Sequence, residues 1–241
     1  MAEPTPYLLG LRASTADLLT GLAALRWSDA DVGAPSLCEG WTRGHVLTHL
    51  ARNADGISDT LGGALRGEIV ERYPGGPDAR NAAIEAGARR PFAAQVADVR
   101  DSADRLDRVL GAVGHDDGWE LPTAESQPAA TWVNRRWREV EIHRVDLDAG
   151  YSPDRWPARI VTSLLAAEAD TLAKRVQGAV RVEVTPDDSV AADYVGRTWT
   201  AGEGSPVDVR GPDWAIAAWL VGRPSVAAKA LTATPPLRSW G

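Results

Sequence analysis

The chain has 241 residues, of which 44% are hydrophobic and 24% charged, enough to bury a substantial core in one large or two ordinary domains and unlike a disordered or fibrous protein. A net charge of -7 with a pI near 5.2 argues against binding along a nucleic-acid backbone, which needs clustered Lys and Arg. The first residues show no basic region followed by a long apolar run, and no stretch reaches the length of a bilayer span, so the expectation is a cytoplasmic protein without membrane contact. The single cysteine, Cys38, excludes an internal disulfide and a Cys-rich zinc site.

Residues 6–25 place Leu8, Leu11, Leu18, Leu22 and Leu25 at helical spacing, with Leu9 and Leu19 widening the stripe. A second helix is expected to start at Thr42, a capping residue, and to carry Val46, Leu47, Leu50, Ala51, Ala54, Ile57 and Leu61 on one face, with Trp41 fixing its start. The Gly/Pro-rich "RYPGGPDARN" reads as a break, followed from about Pro91 by a third helix with Phe92, Val96, Val99, Leu106, Val109 and Leu110 in register. "GHDDGWELPTAESQPAA" reads as a loop holding a solvated His115, and "TWVNRRWREVEIHRVDLDAG" as a fourth helix ending near Gly150. Four long helices predict a bundle over residues 1–150.

Beyond "YSPDRWP" the pattern changes. A helix over residues 157–176 precedes strand-like runs at 180–184, in "DYVGRTWTA" and at 207–210, and "GPDWAIAAWLVGRPS" reads as a turn, a short helix and a stop at Gly222. Residues 151–241 are therefore expected to form a smaller α+β domain.

Serine-elbow, phosphate-loop, HExxH and dinucleotide fingerprints are absent from the sequence, which leaves covalent serine or cysteine catalysis and nucleotide chemistry without support. Interest falls on "WREVEIH". On a helix Glu139 and His143 share a face four residues apart, which suits either an exposed ion pair or half of a metal site, while Glu141 is expected to point away toward solvent or an arginine. His45 and His49 form a comparable pair on the second helix, and facing helices of a bundle can assemble such groups around a divalent ion. Two imidazoles and a carboxylate are the donor types of a catalytic zinc with one position left open.

"EGWTRGHVLTHLARNADG" and "RRWREVEIHRVDLDAG", with "GPDWAIAAWLVGRPS" later, resemble the mycothiol-dependent maleylpyruvate isomerase family, a branch of the DinB-like metal-binding four-helix proteins. The resemblance implies an N-terminal DinB-like four-helix bundle with a C-terminal α+β domain. It further implies a divalent metal, usually zinc, held by His49, Glu139 and His143, with His45 as a helix-start residue nearby. The implied activity takes a small-molecule substrate and a low-molecular-weight thiol, mycothiol. The thiolate adds to the cis double bond of maleylpyruvate, the resulting single bond rotates, and elimination gives fumarylpyruvate, in gentisate degradation. An alternative use of the same metal and thiol is S-transfer to an electrophilic metabolite or xenobiotic. Substrate carboxylates and the developing enolate need cationic donors, and Arg223, Arg136 and Arg138 are the arginines in family-like motifs, each otherwise a surface charge or ion-pair partner.

Overall fold

In the computed structural model, residues 5–115 and 118–238 are described. The chain divides into two units, Met1–Ala149 and Gly150–Gly241.

The first unit is a helical bundle. In α1 (Thr5–Ala24) the buried residues are Leu11, Ser14, Leu18 and Leu22, a narrow stripe at spacings of three and four. Leu9 does not widen it: two residues from Leu11 is more than half a turn away, and Leu9 is 61% exposed. A short α2 (Asp29–Val32), capped by Ser28, leads to α3 (Arg43–Leu65). As expected, Thr42 caps α3, but its partner in the capping box is an imidazole: the Thr42 N–H donates to His45 Nδ1 at 3.2 Å while the His45 N–H donates to the Thr42 hydroxyl.

The interval expected to be a break contains a helix, α4 (Gly76–Gly87). The glycines and proline of that interval lie at the helix start, while Gly87 at its end packs on Thr48, which a Cβ there would meet at 2.5 Å. Gly75 turns the chain at φ +86°, and Pro77 occupies the first turn, where a helix needs no N–H donor. The end of α4 lies against the first turn of α3 because Gly44 has no side chain. A Cβ there would meet the Ala88 carbonyl oxygen at 2.0 Å.

Next, α5 (Phe92–His115) runs farther than expected and ends on an exposed His115, which is helical rather than in a loop. Asp116 and Asp117 of "GHDDG" lie outside the described residues. Finally α6 (Ala129–Asp146) packs against α1 on one side and α3 on the other, while α5 lies against α1 and α3. Gly10 lets α1 approach Trp137 on α6, since a Cβ at Gly10 would fall 2.1 Å from the indole.

In the second unit the helix expected over residues 157–176 is divided into α7 (Ala158–Ala169) and α8 (Leu172–Arg175). At the division the Thr171 hydroxyl donates to the Glu168 carbonyl at 3.1 Å, a local bond that competes with helix continuation. Three strands follow, β1 (Ala179–Val184), β2 (Thr198–Ala201) and β3 (Pro206–Gly211), in the order β2-β1-β3. The central β1 pairs antiparallel with β2 and parallel with β3, and buries Val180, Val182 and Val184. An almost wholly buried α9 (Asp213–Leu220) ends before Gly222, at φ +81°, and a short α10 (Pro224–Ala227) follows. The bundle plus smaller α+β part is the architecture the sequence predicted. Among the described residues no helix is long and apolar enough to cross a membrane.

Candidate metal centre

Four polar residues share one face of α6 at alternating spacings of three and four: Arg136, Glu139, His143 and Asp146. Arg136 anchors this face. Its NH1 donates to the Leu50 carbonyl and to Asn53 Oδ1 on α3, both at 2.8 Å, and only 2% of the residue is exposed. Burial brings its pKa down to about 10, still fully cationic at neutral pH. The guanidinium therefore holds two helices together inside the bundle, and its charge and that of Glu139 act on each other.

One turn along, Glu139 Oε2 lies 2.8 Å from His49 Nε2 and 3.2 Å from His143 Nε2. The two imidazoles meet edge to face at 4.5 Å between centroids, and the donor atoms of His49, Glu139 and His143 all fall within 4.8 Å of one another. His49 is almost fully buried, whereas the Glu139 side chain is 26% exposed, so the group opens on its carboxylate side. Among the described residues these three form the one cluster of such donors able to hold a metal ion.

Protonation follows from the packing. Burial pushes His49 down to about 4, helped by the neighbouring His143 charge and by Arg80, against an opposing hydrogen bond from Glu139. His49 is thus neutral at neutral pH. Burial acts to raise Glu139, but the hydrogen bonds and charges of His143 and His49 outweigh it and hold the carboxyl well below the usual range. His143 is also pulled down by burial, yet Asp146 and Glu139 bond to it and carry it above its ordinary value.

The support behind the two imidazoles was not read from the sequence. His143 Nδ1 lies 2.8 Å from the fully buried Asp146 carboxylate, three residues on, a spacing that could have flagged it. His49 Nδ1 lies 3.1 Å from Arg80 NH2, on the helix that the Gly/Pro content concealed. Trp41 stacks over His143 at 6.1 Å and lies 5.3 Å from His49, closing one side of the cluster as well as flanking the start of α3. The Arg80 guanidinium sits 5.9 Å from the Trp41 ring and 5.6 Å from that of Tyr73.

A family model described as the mycothiol maleylpyruvate isomerase N-terminal domain matches residues 11–148. The chain belongs to that family. No curated protein matches it. Among solved structures, a mycothiol-dependent maleylpyruvate isomerase has 27% identity and a TM-score of 0.82, with 99% of this chain and 97% of that one covered. A histidine-to-alanine mutant of that isomerase matches at 26% identity, with the same TM-score and coverage. The matched region of this mycothiol maleylpyruvate isomerase family member contains His49, Glu139 and His143, together with Arg80 and Asp146.

Other expected residues fall elsewhere. His45 is not in the cluster: its Nδ1 serves the α3 cap and its Nε2 lies 2.8 Å from Glu85 Oε2. Arg138 is half-buried on α6, two residues from Arg136 and so on a different face. Arg223 lies in the second unit at the start of α10, where its NH1 donates to the Val221 carbonyl at 2.6 Å. Glu141 corrects the reading of "WREVEIH". It is 1% exposed and accepts a hydrogen bond from the Ser14 hydroxyl, which itself accepts from Trp137 Nε1 at 2.7 Å. Away from the α3 face means toward α1, because α6 is covered on both sides.

Proposed function

We propose that this chain is a divalent-metal enzyme, with zinc as the metal, that uses mycothiol to convert maleylpyruvate to fumarylpyruvate. The observation that carries the proposal is the convergence of His49, Glu139 and His143, in a family member, on a point bordered by a partly exposed carboxylate. The donors fit a catalytic zinc: two imidazole nitrogens and one carboxylate oxygen, with no fourth Cys, His, Asp or Glu joining them among the described residues. When bound, metal and thiol together would supply a thiolate nucleophile at neutral pH.

The chain's own residues prepare that chemistry. Burial keeps His49 neutral, so one of its ring nitrogens retains a lone pair, and the two imidazoles keep Glu139 anionic. Asp146 fixes the His143 ring and places a proton on Nδ1, leaving Nε2 for the metal. Arg136 secures the α3–α6 pairing on which the ligand geometry depends. For the substrate's carboxylates and developing enolate we assign Arg223, with Arg138 as the second cation; support for both is their place in family-like motifs.

The test is cis–trans isomerisation of maleylpyruvate by the purified, zinc-loaded protein with and without mycothiol. Thiol-dependent formation of fumarylpyruvate is expected. Absence of thiol-dependent turnover would remove the assignment, and accumulation of a mycothiol conjugate in the mass spectrum would replace it with S-transfer.

A further inference from the structure

The two nitrogens of His49 face different partners, and one of them is incompatible with metal ligation. Nε2 faces Glu139 Oε2 at 2.8 Å and Nδ1 faces Arg80 NH2 at 3.1 Å. A guanidinium has donors and no acceptor, so Nδ1 must offer its lone pair and the proton of the neutral ring must sit on Nε2, donating to Glu139. A metal at the Glu139 side needs the Nε2 lone pair. The ring proton then moves to Nδ1 and confronts the Arg80 N–H, donor against donor beside a second positive charge.

We infer that Arg80 and the metal compete for His49, and that metal loading releases Arg80 to bind a carboxylate of the anionic substrate. This rests on the metal reading given above. Arg80 is suited to both positions. It is half-buried on α4, its Nη1 rests on Asn81 Oδ1 at 3.0 Å, and its guanidinium lies near the faces of Tyr73 and Trp41. Those rings favour a cation, so the freed guanidinium stays beside the cluster. His143 shows the opposite design, with a carboxylate behind Nδ1 that favours the ligating tautomer.

The full-length apoprotein is titrated with Zn2+ against a chromophoric chelator, for wild type and for Arg80→Gln, whose side-chain carbonyl can accept from Nδ1–H. Arg80→Gln is expected to bind Zn2+ about tenfold more tightly. Imidazole 15N NMR of the wild type should show His49 protonated on Nε2 without metal and on Nδ1 with it. At saturating zinc, Arg80→Gln should raise KM for maleylpyruvate about tenfold with a smaller change in kcat. Equal or weaker zinc binding by Arg80→Gln, or a His49 already protonated on Nδ1 in the apoprotein, would overturn the competition while leaving the metal site standing. An unchanged KM would overturn the carboxylate role. Failure of the wild type to bind Zn2+ would remove the metal reading itself, and this inference with it.

Discussion

The two imidazoles of the cluster have the same chemistry and opposite surroundings. On the α6 side, His143 is backed by the buried carboxylate of Asp146, which orients its ring with Nε2 toward Glu139. On the α3 side, His49 is backed by Arg80 from α4, which favours the tautomer that a metal cannot use. The difference teaches that a ligand set is defined by what stands behind each ring as much as by the rings. Under the metal reading proposed above, half of this site is preset to receive the ion and the other half must change on receiving it.

Removing Glu139 should have the largest effect, because its oxygen faces both imidazoles. Glu139→Ala, like His49→Ala and His143→Ala, should abolish stoichiometric zinc by elemental analysis, a larger loss than the about 10–100-fold typical of removing an outer partner. Full metal occupancy in any of the three would break the ligand assignment. Asp146→Asn should weaken zinc by about 10–100-fold in chelator competition, opposite in sign to Arg80→Gln; two changes of the same sign would erase the contrast between the halves.

Acid should act on the His143 side first. Its pKa is raised, so protons compete with the metal from above the ordinary histidine value, and zinc affinity should fall as pH drops, by up to about tenfold per unit. Asp146→Asn should move that onset to lower pH. In the apoprotein the two rings have opposite linkage. The His49 pKa is depressed to about 4, so folding favours its neutral form and stability declines as pH falls from the unfolded value near 6.5. The raised His143 contributes stability below that unfolded value and loses it as pH rises through its folded pKa.

Changes outside the comparison should leave metal affinity unmoved. Ser14→Ala would remove the hydrogen bond to Glu141 and the acceptor of the Trp137 indole N–H on the α1 side, costing about 1–3 kcal/mol in denaturant unfolding with zinc binding intact. A fall in zinc affinity would show that the two faces of α6 are coupled. Glu85→Gln, at an exposed partner of His45, should change neither melting temperature nor metal content, and a loss of metal there would return His45 to the ligand set.

The long helices were legible because their apolar residues recur every three or four positions, and the pair Glu139 and His143 because four residues return to one face. Where one helix has two buried faces, that logic misplaces a residue: leaving the face of Glu139 and His143 points Glu141 toward solvent or an arginine, and the sequence carries no mark that α1 covers that side. α4 is hidden because Gly75, Gly76 and Pro77 cluster at its start, where they are compatible with a helix, and its Arg80 is hidden with it.

The sequence by itself determined the bundle, the capped start of α3, the smaller α+β part and the three donor types, since each depends on local periodicity, capping chemistry or residue type. Tertiary structure decided the rest. It brought His49, and not His45, onto Glu139 and His143, set Arg80 behind the His49 ring, and put β1 between β2 and β3. Those outcomes depend on which elements pack together across some fifteen to ninety residues of chain, a relation that no local spacing encodes.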